Sequence, residues 1–214
     1  KDLDMVLIIE ALDASFGETF WQFIEDGGYE HREKGTNENQ FYRFTDPKDK
    51  TFPKMIELFS KHPNEFELSF DSGLTPIHID ESIVSLSAIL LNDDYYDLLV
   101  KGKRTVDGFS LIELETVILF KIKAWLDLKG RKEAGEDVDT KNIRKHKNDV
   151  FRLLASVSLT SRIKSSQDIQ NDVVKFIEQI KEDKPDLKNL GIKKTSFDEM
   201  LEILGDIFLG KAED

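Results

Sequence analysis

The sequence contains no cysteine, which excludes disulfide bonds and thiolate metal sites from its 214 residues. A chain without disulfides fits a reducing compartment, and we expect a cytoplasmic location. The sequence also lacks an apolar run long enough to cross a bilayer, because its longest apolar runs have only the length of strands. No signal peptide is visible, and we expect no membrane partner.

Positive charge is scarce as well. The chain has 30 Lys and Arg residues against 42 Asp and Glu residues, a net charge of −12. This balance excludes broad electrostatic capture of nucleic acid by the whole surface, although a local basic patch remains compatible with it. With 39% apolar and 34% charged residues, the composition is that of a globular protein of one large or two small domains.

Two aspartates lie two residues apart at the beginning of the chain. Asp2 and Asp4 lead into an apolar run, and residues 3–9 are typical of a buried strand. Because side chains alternate between the faces of a strand, the two aspartates share one face. Paired carboxylates bind divalent metal ions as hard oxygen ligands. A solvated strand entrance produces the same pattern and stays open as the alternative.

A third carboxylate, Glu57, lies within a strand predicted over residues 52–60. Both faces of that strand are apolar, which predicts a central position in the sheet. An unpaired carboxylate is costly to bury, so Glu57 either forms a salt bridge or approaches water, or it acts as a third metal ligand. Asp80, which shares a face with His78 on a short strand over 76–80, is the fallback third carboxylate.

The remaining pattern changes from strands to helices along the chain. The first part predicts a helix over 14–26 that ends at Gly27-Gly28, a turn over 46–49 and a short helix over 92–99. It also predicts strands over 41–44, 66–70 and 82–91, and a short strand or loop over 106–111. After residue 111 the apolar period becomes helical. The second part predicts a first long helix, a charged loop over 129–138, and helices over 139–157, 166–182 and 196–210. This order predicts an α+β fold, with a mixed sheet domain over 1–110 and a helical bundle over 111–214.

Charged residues on two of these helices are further candidates. Lys121 falls on the apolar face of the first long helix, where a lysine must reach past the apolar side chains to water, pair with a carboxylate, or serve a site. Lys123 is expected on the solvated side. Lys145 and Asp149 are spaced as an (i, i+4) pair, and a surface salt bridge is the plain interpretation. Four cations predict one basic face on this helix: Lys141, Arg144, Lys145 and Lys147.

Several short motifs together resemble the nucleotidyltransferase-fold proteins of the abortive-infection AbiEii/AbiGii toxin type, over about residues 1–154. Lys1-Asp2-Leu3-Asp4 is similar to the family's Lys-Asp-hydrophobic-Asp segment. Lys54-Met55-Ile56-Glu57-Leu58 resembles the strand with the third carboxylate. Phe120-Lys121-Ile122-Lys123-Ala124 resembles the Lys-x-x-Ala helix, and Arg131 follows where the family has an arginine. Lys145-His146-Lys147-Asn148-Asp149 resembles the closing Lys-Asp-x-x-Asp motif.

This resemblance implies a nucleotidyltransferase-like sheet domain and metal-dependent transfer of a nucleotide from an NTP. Asp2, Asp4 and Glu57 would bind two Mg²⁺ ions, and Lys121, Arg131, Lys145 and Asp149 would contact the nucleotide or the acceptor. The acceptor would be a tRNA, another RNA or a protein. The resemblance also implies a toxin, in a toxin–antitoxin or phage-defence system, with a cognate antitoxin protein as partner.

The sequence departs from the family at three points. A Gly-Gly or Gly-Ser turn that holds phosphates should precede the Asp pair, and since the chain begins at Lys1 rather than Met we expect N-terminal residues to be missing. Glu57 replaces the common Asp, and His146 replaces the usual Asp of the last motif. These departures favour a competing interpretation, a catalytically inactive scaffold that binds a partner protein. A metal-dependent hydrolase with the same carboxylates is a third.

Overall fold

A computed structural model describes residues 2–8, 14–30, 42–60, 74–77 and 86–210. The chain forms two compact units, residues 1–96 and 97–214, so the predicted division at residue 110 lies within the second unit. Both sheet and helix are present, as expected for an α+β protein. The strand predicted over 66–70, together with His78 and Asp80, lies outside the described residues.

A mixed five-stranded sheet forms the first unit. Its strand order is β1-β3-β5-β4, and β2 pairs with β3 beside this path. β3 pairs in parallel with β1 and β5 and antiparallel with β2, which confirms the predicted central position. β4 and β5 are antiparallel. The strands are β1 (Asp2–Val6), β2 (Arg43–Thr45), β3 (Met55–Ser60), β4 (Leu74–Ile77) and β5 (Leu86–Leu90).

One face of this sheet is covered by helix α1 (Ala14–Gly27), as predicted for that segment. Phe20 and Ile24 of the helix pack in one core cluster with Ile56 and Leu58 of β3, and each of the four is at most 5% exposed. β3 alternates between buried and half-buried positions, so one face of the strand is buried more deeply than the other. Each buried aliphatic side chain stabilises the fold by roughly 1.5–3 kcal/mol.

The prediction of a fully buried first strand is wrong at its beginning. Leu3 is 41% exposed and Asp4 is exposed, whereas Leu7 is 2% exposed. Leu3 lies on the same face as the buried Ile56, its register partner, but the core cluster under α1 includes Met5 and Leu7 and does not extend to Leu3. On this face, β1 therefore joins the core from Met5 onward.

Gly28 ends α1 in the left-handed conformation, with φ +59°, which glycine adopts without strain. Gly27 is equally constrained by space, because a Cβ there would lie 2.6 Å from the ring of Tyr29. The Tyr29 hydroxyl donates a hydrogen bond to the carbonyl of Pro53 at 2.6 Å, which fixes the ring above the glycine. The predicted helix end is confirmed.

The second unit contains a β-hairpin and a set of helices. The hairpin consists of β6 (Lys103–Val106) and β7 (Phe109–Ile112), where a single short strand or a loop was expected over 106–111. Asp107 and Gly108 connect the strands with φ of +50° and +83°, as a two-residue primed turn requires. The helices of the chain after α1 are α2 (Asp93–Lys101), α3 (Leu114–Glu133), α4 (Thr140–Leu154), α5 (Gln167–Ile180) and α6 (Phe197–Phe208).

Helices α3 to α6 share one apolar core. Ile122 and Trp125 of α3 and Phe176 of α5 are each 0% exposed, and the rings of Trp125 and Phe176 meet edge to face at 5.1 Å. The loop predicted from residue 129 is wrong, because α3 continues to Glu133. The capping box predicted at the start of α6 is confirmed between Ser196 and Glu199. Among the described helices, none combines the length and apolarity that a bilayer span requires.

Candidate functional site

The parallel pairing of β1 with β3 places Asp4 directly beside Glu57. The two residues are register partners, so they lie on the same face of the sheet. Neighbouring strands are about 4.7–4.9 Å apart, which is close enough for two carboxylates to share one cation. The structure thus brings together two of the three carboxylates that the sequence proposed as a set.

The third position, Asp2, is the register partner of Met55 and lies two residues before Asp4. Strand alternation places position 2 on the same face of β1 as position 4. Its side chain is outside the described set, and so is Asp80, the fallback ligand. Among the side chains that are described, no group of three His, Asp or Glu residues converges on one point.

Glu57 forms a salt bridge with Arg43, its register partner on β2. The Nε of Arg43 donates a hydrogen bond to Oε1 of Glu57 at 2.7 Å, and Nη2 lies 2.6 Å from the same oxygen. The Glu57 side chain is 15% exposed and that of Arg43 is 43% exposed. A salt bridge was one of the two interpretations left open for Glu57, and the ion pair is present.

That ion pair leaves coordination capacity free. No described residue donates a hydrogen bond to Oε2 of Glu57, and the exposed Asp4 carboxylate has no hydrogen-bond or ion-pair partner within the described part of the chain. Asp4, Glu57 and Arg43 form one transverse row across β1, β3 and β2, which we call the Asp4–Glu57–Arg43 row. Two hard oxygen ligands fit Mg²⁺, which proteins commonly hold through one or two carboxylates together with substrate phosphates.

Two of the candidate residues lie on α3 in the helical unit. Lys121 is half-buried, and it makes no hydrogen bond or ion pair with any residue that the structure describes. Arg131 instead lies in the last turn of the helix, where it is ion-paired with Glu136 at 2.7 Å and with Asp127 at 3.8 Å. The hydrogen bond and charge of Glu136, with a contribution from Asp127, raise the pKa of Arg131 above its ordinary value.

The other two candidates lie on α4. Asp149 pairs with Arg152 at 3.3 Å, so the (i, i+4) contact with Lys145 that the spacing suggested is not formed. The Lys145 side chain is exposed and has no partner among the described residues. Lys145 is therefore available to an anionic ligand, whereas the Asp149 carboxylate already has a cationic neighbour.

The predicted basic face of α4 is smaller than expected. Lys141, Arg144 and Lys145 are exposed, but Lys147 is 6% exposed and lies on a different side of the helix. Its Nζ donates to Oδ1 of Asp183 at 2.6 Å and to the Asp183 carbonyl at 3.1 Å. An α-helix turns by about 100° per residue. Lys145 therefore points close to the direction of Lys141, four residues before it, whereas Lys147, six residues after Lys141, points away from that direction.

Lys123 is exposed, as expected, and it also takes part in an ion pair. This lysine is 46% exposed at its side chain, but its Nζ is 2.8 Å from Oδ2 of Asp172 on α5. Asp172 itself is 8% exposed. The pair links α3 to α5, so this solvated lysine also has a partner within the fold.

Arg43 is the site residue that sequence reasoning missed. Its position between two aromatic residues in a predicted strand gave no sign of its partner, because the antiparallel pairing of β2 with β3 sets the contact. The only local sign was an arginine in an otherwise aromatic strand, Phe41-Tyr42-Arg43-Phe44. The guanidinium also lies over the ring of Tyr42, 5.5 Å from its centroid.

A comparison of the chain with protein-family models, curated proteins and solved structures finds no match in any of the three. The resemblance to the AbiEii/AbiGii type therefore rests on the quoted motifs. The Asp4–Glu57–Arg43 row rests on the sheet register of this chain itself.

Proposed function

We propose that this protein is a metal-dependent nucleotidyltransferase of nucleotidyltransferase-like fold that moves a nucleotide from an NTP to an RNA or protein acceptor. The observation that carries the proposal is the pairing of Asp4 with Glu57 on one face of the sheet. Two carboxylates in register, one of them exposed and without a described partner, are a poor arrangement for stability alone because like charges repel. They are a good arrangement for binding a divalent cation.

Three carboxylates would hold the metal in this proposal. Asp4 and Glu57 supply the two ligands whose placement is described, and Asp2 supplies a third from the same face of β1. Bound Mg²⁺, as two ions, neutralises phosphate charge and lowers the pKa of an acceptor hydroxyl. The chain's own contribution is to hold the ligands on a rigid sheet, where Glu57 also orients the hydroxyl or accepts its proton.

Cationic residues of the helical unit would bind the nucleotide or the acceptor. Lys121 and Lys145 support this role best, because neither is engaged by a described carboxylate. Arg131 and Asp149 are weaker candidates, since each already has an oppositely charged neighbour. The cellular role would be that of a toxin with a cognate antitoxin protein, as the motif resemblance suggests.

A second function is favoured by one observation, the Arg43–Glu57 ion pair. Both guanidinium contacts end on Glu57, and the pair satisfies a carboxylate that is only 15% exposed. A sheet whose third carboxylate is neutralised in this way would serve as a catalytically inactive scaffold that binds a partner protein. The two functions differ in whether the row binds metal and nucleotide.

Calorimetric titration of each NTP into the full-length protein, with and without Mg²⁺, tests the proposal. We expect Mg²⁺-dependent binding of one NTP, and we expect Asp4→Asn to remove it because a neutral amide is a poor ligand for Mg²⁺. Asp137→Asn is the matched control, since Asp137 is exposed and has no described hydrogen-bond partner. Binding that survives Asp4→Asn, or no binding of any NTP by the folded wild type, contradicts the transferase and leaves the scaffold.

A further inference from the structure

The Arg43–Glu57 pair is unequal in its exposure and in its bonding. Arg43 keeps 43% of its side chain exposed, whereas Glu57 keeps 15%. Both guanidinium contacts, from Nε and from Nη2, are to Oε1 of Glu57, and no described residue donates a hydrogen bond to Oε2. The cation of the pair reaches solvent, and the anion is held in the sheet.

A divalent cation between Asp4 and Glu57 would lie beside this guanidinium. Asp4, Glu57 and Arg43 are successive register partners, so each is one strand spacing from the next. Like charges at that separation repel even near the surface, where the effective dielectric constant is intermediate. Arg43 therefore opposes a metal ion at the row as long as it remains on Glu57.

The guanidinium has a second type of partner available to it. Its planar fork matches two oxygens of a phosphate, as it matches a carboxylate. The Tyr42 ring, 5.5 Å from the guanidinium carbon, provides a neighbouring surface on which the side chain rests as it changes partner.

We propose that Glu57 exchanges partners: Arg43 releases it to a divalent cation and then donates hydrogen bonds to a phosphate oxygen of the nucleotide. This inference rests on the proposed transferase function, and it assigns Arg43 as a positioning residue. The exchange couples the two ligands. Without nucleotide, Glu57 is the only anionic partner of the guanidinium among the described residues, and cation binding is weak. A phosphate gives the displaced guanidinium a new anion. Coupling of this kind is reciprocal between cation and nucleotide.

Mn²⁺ titration of the full-length protein, followed by calorimetry, tests the exchange. The titration is repeated in the presence of the α,β-methylene analogue of each of the four NTPs in turn. For the wild type we expect one analogue to tighten Mn²⁺ binding. For Arg43→Gln we expect Mn²⁺ alone to bind about tenfold more tightly, since a like charge is removed, and the analogue to add little.

Two variants control for charge and fold. Arg43→Lys keeps the positive charge, so its affinity for Mn²⁺ alone should stay near that of the wild type. Arg104→Gln removes an arginine that pairs with Glu113 in the hairpin of the helical unit, and it makes the same change in net charge. Its Mn²⁺ affinity should also equal that of the wild type. Circular dichroism of each variant reports whether the fold is retained.

The outcomes separate the exchange from the transferase function. Mn²⁺ binding that is unchanged or weaker in folded Arg43→Gln overturns the exchange, while the transferase proposal stands if Asp4→Asn abolishes that binding. A wild type that binds Mn²⁺ with no effect of any analogue also overturns it, and this arm needs no variant to fold. Absence of Mn²⁺ binding in both the wild type and Arg43→Gln overturns both proposals.

Discussion

The buried charges of the helical unit and the exposed Asp4 of the sheet unit differ in whether a described residue pairs with them. In the helical unit, Lys147 and Asp172 are less than 10% exposed, and each has an oppositely charged partner from another segment of the unit. In the sheet unit, Asp4 is exposed beside Glu57 and no described cation contacts it. The buried charges of the helical unit are thus engaged in ion pairs, whereas the exposed Asp4 of the sheet unit remains available to a ligand.

This contrast indicates where function is to be sought. A buried ion pair costs desolvation that its own attraction barely offsets, so its members cannot be released without loss of stability. An exposed carboxylate carries no such cost and is free to bind a cation. We therefore expect the loss of one member of a buried ion pair to lower stability, and the loss of the exposed Asp4 to lower activity.

Asp4→Ala gives the largest expected effect, and it acts on activity alone. Loss of one metal ligand should lower nucleotide transfer by at least about 10²–10³-fold, because charge stabilisation of the phosphates is lost. The free energy of unfolding should stay within about 0.5 kcal/mol of that of the wild type, as for other exposed positions. Transfer of label from α-³²P-NTP, together with urea unfolding, measures both. Retained transfer would remove Asp4 from the site and with it the contrast between the units.

Asp183→Ala gives the next largest effect, and it acts on stability. The change leaves the ammonium of Lys147, whose side chain is 8% exposed, with only the Asp183 carbonyl as a partner. We expect a loss of about 1–3 kcal/mol, reduced from the value for a fully buried pair because Asp183 is 57% exposed. Urea unfolding followed by circular dichroism measures it.

Lys147→Met is the matched comparison for that experiment. It removes the buried charge, keeps most of the side-chain volume and leaves Asp183 in contact with water, so the expected loss is under about 1 kcal/mol. A loss of stability as large as that of Asp183→Ala would show that the attraction between the two charges outweighs their desolvation. This result would contradict the statement that attraction in such a pair barely offsets the desolvation cost.

The smallest expected effect concerns the pH dependence of the α6 capping box. Hydrogen bonds from the backbone and side chain of Ser196 hold the pKa of Glu199 below its ordinary value of 4.5. Because the pKa of Glu199 is lower in the folded than in the unfolded state, the ionised carboxylate contributes to the free energy of unfolding. This contribution is complete above about pH 4.5 and is lost as the pH falls below that value. Unfolding free energies from pH 7 to pH 3 should decrease less in Glu199→Gln than in the wild type. Parallel curves for the two proteins would contradict the assignment.

The sequence predicted those elements whose pattern is local. Helical spacing located α1, α4, α5 and α6, and the Ser196–Glu199 signature located the start of α6 because a capping box is contained within four residues. The Asp107-Gly108 turn is an equally local signal for a hairpin, but the prediction of a short strand or loop at this place did not use it. The end of α3 was misplaced because charged residues at 129–133 continue a helix as readily as they begin a loop.

The site depended on pairing, which the sequence does not display. Residue types and the motif resemblance suggested Asp4 and Glu57 as ligands of one metal, but it is the parallel register of β1 with β3 that places them side by side. Arg43 escaped notice because its partner is fourteen residues away on an antiparallel strand. Lys147 was assigned to a solvated face because Asp183, thirty-six residues further on, could not be paired with it from spacing alone.

The distribution of tryptophan has a practical consequence. The chain has two tryptophans, and they fall in different units: Trp21 packs against the core under α1, and Trp125 is fully buried among the helices of the second unit. Each unit thus contains its own intrinsic fluorophore. A Trp21→Phe protein would emit from the helical unit alone and a Trp125→Phe protein from the sheet unit alone, so fluorescence unfolding curves of the pair would reveal whether the two units melt together or one before the other.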